Sequence, residues 1–168
     1  SVPPVPAPLT LSVVVPVFNE AATVRELLRR VRASPVPKEI LVVDDVPQNV
    51  RLLEAVLAPR GYDVVTATDG DSALRLVESE EPDLVLLDIV MPGIDGYEVC
   101  RRLRAQASTR ELPIMFLSSL EDVQDKTRGF EVGADDYLTK PFEVLEVKAR
   151  VRSLLKAKAY ADAIREAM

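Results

Sequence analysis

Short apolar runs alternate with amphipathic stretches along most of the chain. The apolar runs predict strands at about 40–43, 62–67, 84–88, 113–118 and 136–140. Apolar residues every three or four positions predict helices at about 47–58, 69–78, 96–107 and 122–132, and a long one from about 143 to the end. Strands that alternate with helices predict an α/β fold, in which a parallel sheet carries helices on both faces.

The first 37 residues follow a different pattern. Residues 1–10 hold four prolines and predict an extended leader. Residues 11–17 form a β-rich run, and 21–33 have the apolar spacing of a helix. We therefore predict four parts, which are a leader at 1–10, a β-α extension at 11–37, the main unit at 38–157 and an extension of the last helix at 158–168.

Composition narrows the classes of function. The 168 residues suit one domain with extensions, and the net charge of −6 argues against direct binding of nucleic acid. The single cysteine, Cys100, predicts a buried thiol in a reducing, cytoplasmic compartment. The lack of histidine excludes His-based triads and most zinc sites. We find no signal peptide and no apolar run long enough to span a membrane, so no membrane partner is expected.

Chemically notable residues stand where the predicted strands end. They are Asp44, Asp45, Asp88, Ser118 and Lys140. In a parallel sheet these strand ends share one edge, so the three carboxylates are expected to converge and to repel each other unless a cation intervenes. Oxygen ligands favour Mg²⁺, and a lysine with a hydroxyl suits a phosphoryl group. The alternative is a group of capping residues with a structural ion pair from Lys140.

Four motifs carry a family resemblance. They are ILVVDD at 40–45, LVLLDIVMPGIDG at 84–96, PIMFLSS at 113–119 and GADDYLTKPF at 133–142. Through their order and spacing, residues 39–157 resemble the receiver domain of two-component response regulators. The resemblance implies a flavodoxin-like, doubly wound (βα)5 sheet of strand order 2-1-3-4-5, here with an extra N-terminal βα unit and an extended C-terminal helix.

The resemblance also implies an aspartyl phosphorylation switch. Asp88 matches the phosphoacceptor. Asp45, with Asp44 acting largely through water, matches the acidic pair that binds Mg²⁺ together with Asp88. The backbone carbonyl of Val90 matches the third protein ligand.

Four further positions match residues that respond to the phosphoryl group. Ser118 matches the hydroxyl that binds this group, and Lys140 matches the lysine that pairs with it. Tyr137 matches the aromatic switch residue that moves between exposed and buried positions. Pro141 matches a structural proline that is usually cis.

The implied partner is a histidine kinase or a phosphotransfer protein. The domain would catalyse only its own phosphorylation and dephosphorylation, and would control an output domain or a homodimer. The dimer contact would involve the fourth helix, fifth strand and fifth helix, or the N-terminal extension. Val90 and Leu120 flank the expected water path and are apolar, which predicts slow self-dephosphorylation.

A second resemblance covers about residues 11–45. VVVPVFNE at 13–20 and VVDD at 42–45 are similar to the start of family 2 glycosyltransferases. The similarity stops at VPQNV, 46–50, where that family is expected to have a glycine- and serine-rich turn. The alternatives to a regulated receiver are therefore a truncated glycosyltransferase-like fragment that uses Asp44 and Asp45, or a natural or engineered chimera without a role of its own.

Overall fold

The structure is a computed structural model, and it describes residues 25–26, 37–119 and 123–167. Arg25 and Glu26 are helical, in line with the helix predicted over 21–33. The predicted leader, the predicted strand at 11–17, the rest of that helix and Leu120 lie outside the described residues.

From residue 37 onward, the described part of the chain alternates between strands and helices. The elements are β1 (Glu39–Val43), α1 (Pro47–Leu57), β2 (Asp63–Ala67), α2 (Gly70–Glu80), β3 (Leu84–Asp88), α3 (Gly96–Ala105), β4 (Ile114–Ser118), α4 (Val123–Glu131), β5 (Asp136–Thr139) and α5 (Val144–Ala167). The five strands form one parallel sheet in the order β2-β1-β3-β4-β5. The predicted fold class and strand order are therefore confirmed, and α5 is the expected extended helix.

The chain divides into two compact units. One is Pro37–Leu155, and the other combines Ser1–Val36 with Lys156–Met168. In the second unit, the described end of α5 carries an ion pair of Lys158 with Asp162 at 2.9 Å. Among the described residues, no helix is both long and apolar enough to cross a membrane.

The sheet of the first unit has a buried apolar layer on each face. Leu41 and Val43 of β1 face the layer that includes residues of α2 and α3, whereas Ile40 and Val42 face the layer that includes residues of α1 and α5. This alternation follows from the two-residue period of a strand. The central strands are buried on both faces, as a doubly covered parallel sheet requires, which explains why they appear in the sequence as continuous apolar runs.

Side-chain caps define where the helices on one face begin. Asp69 caps α2 by accepting a hydrogen bond from the Ser72 N–H at 2.7 Å. Asp95 caps α3 in the same way, through the Glu98 N–H at 2.9 Å. Such caps satisfy backbone donors that a helix start leaves without partners. They also fix the loops between strand and helix, which lie at the carboxyl edge of the sheet.

Cys100 is fully buried in α3, as the sequence predicted. Its thiol lies 3.5 Å from the Val132 carbonyl oxygen. Burial raises the pKa of Cys100 to about 11, so the thiol stays protonated at neutral pH and packs as a small apolar group.

Candidate functional site

Parallel pairing brings four strand ends to one edge of the sheet. Val43 of β1 pairs with Leu87 of β3, so the residues that follow each of them, Asp44 and Asp88, lie at the same level. Ser118, the last residue of β4, pairs with Thr139 of β5. The convergence that the sequence predicted is therefore present, because the strands that end in these residues are neighbours in the sheet.

Lys140 bridges the two buried carboxylates. Its ammonium nitrogen lies 3.0 Å from Asp44 Oδ2 and 3.2 Å from Asp88 Oδ1. The backbone helps to fix this position, because the Lys140 N–H donates to the Ser118 carbonyl oxygen at 2.6 Å. The peptide bond between Lys140 and Pro141 is cis. A cation at the centre reduces the repulsion between carboxylates that burial would otherwise strengthen.

Asp44 is completely buried and has further hydrogen-bond donors. Its Oδ1 accepts a hydrogen bond from the Val46 N–H at 2.9 Å, and its Oδ2 accepts one from the side-chain amide of Asn49 at 3.2 Å. Asn49 was not among the predicted site residues. The sequence did contain a signal for Asn49, which is its position two residues after Pro47, where α1 begins. The first turn of this helix follows closely on the end of β1, so its side chains can reach the site.

The surroundings of Asp88 make its carboxyl group harder to ionise than a carboxyl group in water. Burial raises the pKa of Asp88 to about 6, and the negative charge of Asp44 adds to this effect. The Lys140 ammonium opposes it by attraction and by a hydrogen bond. A second positive charge at this edge of the sheet, in addition to Lys140, would therefore stabilise the ionised form of Asp88.

The carboxylates can hold a metal ion. One oxygen each from Asp44, Asp45 and Asp88 can be chosen so that all three lie within 4.8 Å of one another. Asp45 is exposed, whereas the other two are buried, so Asp45 is the carboxylate that faces solvent. An all-oxygen set with one open side fits the preference of Mg²⁺ for a few carboxylates and several waters.

A cleft of about 630 Å³ opens over these residues. Its lining consists of Asp45, Val46, Asn49, Asp88, Ile89, Val90, Met91, Asp95, Tyr97, Ser118, Ser119 and Lys140. Val90 has 73% of its surface exposed, and Ser118 is buried at the floor. The cleft therefore combines acidic, cationic and hydroxyl groups within reach of a small anion.

Gly96 lets α3 begin directly against the end of β3. Its N–H donates to the Ile89 carbonyl oxygen at 2.8 Å. A Cβ atom at this position would lie 2.4 Å from the Asp88 carbonyl oxygen and 2.9 Å from Ile89 Cα, which is closer than atoms can pack. Gly96 was predicted as the start of a helix, and the structure shows that it also fixes the backbone that carries Asp88.

Tyr137, the predicted switch residue, is buried. Its ring meets Phe116 edge-to-face at a centroid distance of 6.4 Å, and Phe116 meets Tyr97 in the same manner at 5.4 Å. The Arg128 guanidinium of α4 lies 4.2 Å from the centroid of the Tyr97 ring. An aromatic row, defined as Tyr97, Phe116 and Tyr137, thus connects the cleft with β5, and α4 packs against it.

Fold and site together define a class of protein. The family model of the response regulator receiver domain matches residues 40–152, which is more than half of the chain. The chain therefore belongs to the response regulator receiver domain family, the signalling domain of two-component systems. The family model of glycosyl transferase family 2 matches residues 12–58, so the predicted likeness of the N-terminal segment has weak support.

Curated relatives and solved structures agree with this family. The response regulator PleD of Caulobacter vibrioides is 46% identical over 127 residues, which cover 76% of this chain and 28% of PleD. The alkaline phosphatase synthesis transcriptional regulatory protein PhoP of Bacillus subtilis is 50% identical over 119 residues, which cover 71% of this chain and 49% of PhoP. A response regulator of Chloroflexus aurantiacus, solved by crystallography, is 42% identical with a TM-score of 0.70, covering 71% of this chain and 98% of that one. The chain thus spans about half or less of the length of these two curated relatives.

Proposed function

We propose that this receiver domain accepts a phosphoryl group on Asp88 from the phosphohistidine of a histidine kinase or phosphotransfer protein. The observation that carries the proposal is the Lys140 ammonium, which contacts the buried Asp88 and Asp44 carboxylates and, like Asp88, lines an open cleft. A purely structural ion pair needs one carboxylate and no access, whereas a phosphoryl group needs a nucleophile, a cation and an approach from solvent.

The transfer uses groups that the cleft presents. A carboxylate oxygen of Asp88 attacks the phosphorus atom, the bond from phosphorus to the histidine nitrogen breaks, and its electron pair stays on the imidazole. Lys140 and Ser118 line the cleft beside Asp88, where the ammonium and hydroxyl can contact the oxygens of the transferred group. No other catalysis is proposed beyond the chain's own phosphorylation and dephosphorylation.

Asp44, Asp45, Asp88 and the Val90 carbonyl would hold Mg²⁺ beside the acceptor, with Asp44 acting largely through water. When bound, the ion offsets negative charge that accumulates on the transferred oxygens. The open acidic set around Asp45 and the raised pKa of Asp88 support this assignment. Lys140 alone supplies one positive charge against three carboxylates.

The effect of phosphorylation would be transmitted from Asp88 through Ser118, Lys140 and Tyr137. Movement of Ser118 and Lys140 toward the new dianion alters the end of β4, next to the aromatic row that contains Tyr137. The affected face comprises α4, β5 and α5, where Phe130 and Leu145 are exposed with 52% and 73% of their surface. Such apolar residues suit contact with an output domain or a second copy, and the N-terminal extension is the other proposed dimer contact.

Several proposals concern the chain as a whole. We assign 1–10 to a leader, 11–37 to a β-α extension, 38–157 to the receiver domain and 158–168 to a signalling extension of the last helix. PhoP is named a transcriptional regulatory protein, which supports output through a separate domain rather than direct nucleic-acid binding by this acidic segment. A cytoplasmic location without a membrane partner is consistent with these roles.

A second candidate function is a nucleotide-sugar site at Asp44 and Asp45, favoured by the family 2 glycosyl transferase match over 12–58. This function does not explain why Ser118 and Lys140 lie beside a buried Asp88. Titration with nucleoside diphosphate sugars and a divalent cation tests this candidate, and saturable binding that Asp88→Asn leaves intact would favour it.

The test of the main proposal is the intact mass after incubation with acetyl phosphate and Mg²⁺. We expect a gain of about 80 Da, the mass of one phosphoryl group. The Asp88→Asn variant should show no gain, because an amide cannot form the acyl phosphate. An unchanged mass in the wild type, or an equal gain in both proteins, would refute the assignment of Asp88.

A further inference from the structure

Asn49 places an amide donor against the deepest carboxylate of the site. It lies in the first turn of α1, is half-buried, and lines the cleft. Its amide nitrogen is 3.2 Å from Asp44 Oδ2. A carboxylate only accepts hydrogen bonds, so the amide presents its NH₂ group to this oxygen. Asn49 therefore gives Asp44 a hydrogen-bond donor without adding a charge to the cluster.

The oxygen that Asn49 contacts is shared with Lys140. The Lys140 ammonium lies 3.0 Å from Asp44 Oδ2 and also 3.2 Å from Asp88 Oδ1. Under the proposed function, a phosphoryl group on Asp88 attracts this ammonium away from Asp44. The backbone of Asn49 is held by its helix, where its N–H donates to the Val46 carbonyl oxygen at 3.0 Å, so the position of its backbone does not depend on Lys140.

We propose that Asn49 is a positioning residue, which keeps Asp44 oriented for metal binding both while Lys140 lies beside Asp44 and after it turns to the phosphoryl group. The inference rests on the proposed function, because it assumes a Mg²⁺ site at Asp44, Asp45 and Asp88. The contact of Asn49 with Asp44 differs from that of Lys140. Asn49 is neutral and does not repel a metal cation, whereas the Lys140 ammonium does. A partner that orients a carboxylate near a metal typically contributes to affinity without touching the ion.

The test compares Mg²⁺ binding by calorimetry for the full chain, Asn49→Leu and Gln48→Ala. Leucine keeps the size of Asn49 and removes the donor, and Gln48 is an exposed neighbour in the same helical turn. We expect Asn49→Leu to bind Mg²⁺ roughly tenfold more weakly, and Gln48→Ala to bind like the wild type. Asn49→Gln keeps an amide and is expected to recover most of the affinity.

A second readout separates positioning from general damage. At saturating Mg²⁺, phosphorylation of Asn49→Leu by acetyl phosphate should return to within about twofold of the wild-type rate, because the reacting groups are unchanged. Circular dichroism checks that the variants fold, and Asn49→Ala replaces the leucine variant if that one does not.

Three outcomes would overturn the inference. They are an unchanged Mg²⁺ affinity in Asn49→Leu, an equal loss in Gln48→Ala, or a wild type that binds no Mg²⁺. Because calorimetry needs no phosphorylation, a wild type that binds Mg²⁺ normally but gains no phosphoryl group refutes the proposed function alone. The two failures are therefore distinguishable.

Discussion

The carboxyl group of Asp88 is harder to ionise in the folded chain than in the unfolded chain. Burial raises its pKa from the usual 3.8 to about 6, with Asp44 as the second cause. The folded chain then binds this proton more tightly than the unfolded chain does. Without metal, the contribution of Asp88 to stability is therefore greatest below about pH 4 and is lost as the pH rises through about 6.

The Asp88→Asn substitution should remove this pH dependence, because an amide carries no charge. In EDTA at pH 7.5, we expect the variant to be more stable than the wild type by about 1–3 kcal/mol in urea unfolding. The difference should shrink toward zero near pH 4, where the wild-type carboxyl is protonated. Mg²⁺ should also reduce the difference by stabilising the wild type. A variant less stable than the wild type at pH 7.5 in EDTA would contradict this account.

At the scale of elements, Gly96 sets how closely α3 approaches β3. A Cβ atom there would overlap the Asp88 carbonyl oxygen, which belongs to backbone that the sheet holds in place. We expect Gly96→Ala to destabilise the fold by about 2–4 kcal/mol and to slow phosphorylation of the molecules that remain folded. Urea unfolding and the acetyl phosphate assay measure the two effects.

Gly61→Ala is the matched control for this glycine. Gly61 has a φ of +92°, and a Cβ atom there would meet nothing within 4 Å. Gly61→Ala should therefore lower the free energy of unfolding by about 1 kcal/mol, the conformational cost of a non-glycine residue with a positive φ. Because Gly61 does not line the site, phosphorylation should be unaffected. Equal losses of stability in both variants, with unchanged phosphorylation, would show that the contact of Gly96 with β3 is unimportant.

The side chain of Arg104 connects the end of α3 with the starts of β4 and β5 through hydrogen bonds. Its guanidinium donates to the carbonyl oxygens of Gly133 at 2.9 Å and Leu112 at 2.6 Å, and to the Asp135 carboxylate at 2.9 Å. The same Asp135 oxygen accepts the Ile114 N–H at 2.9 Å. One side chain thus satisfies backbone acceptors in two loops.

We expect Arg104→Met to lower the free energy of unfolding by about 2–4 kcal/mol, because it leaves partly buried carbonyls without donors. Arg101→Met is the control on the same helix. Arg101 has 62% of its side chain exposed and pairs with Glu98 of the same helix, so its loss should cost much less than the loss of Arg104. Similar values for the two variants in urea unfolding would contradict the role assigned to Arg104.

At the scale of the whole molecule, the sheet and the main site were predictable because they depend on local patterns. Continuous apolar runs identified buried parallel strands, and polar residues at their ends identified the edge where Asp44, Asp88 and Lys140 meet. The contacts of Asn49 and Arg104 were not predictable in this way. They depend on the distance between elements after packing, and neither hydrophobic periodicity nor the motifs report that distance.

The lifetime of the phosphoryl group follows from the shape and polarity of the cleft. Val90 lines it and is largely exposed, yet its side chain offers no hydrogen bond to a water that attacks the phosphorus atom. Unless another group orients this water, self-dephosphorylation is slow. We expect the phosphoryl group on Asp88 to persist for minutes or longer after acetyl phosphate is removed.

Val90→Asn should shorten this lifetime several-fold, because an amide can hold a water beside the phosphoryl group. The measurement is the decay of the phosphorylated mass after rapid removal of acetyl phosphate. Leu52→Asn also replaces an exposed apolar side chain with an amide, but on α1 and outside the cleft lining, and it should leave the decay unchanged. Loss of the phosphoryl group from the wild type within seconds would instead mean that a polar group in the cleft already activates water, and Ser119, which lines it, would be the first residue to replace.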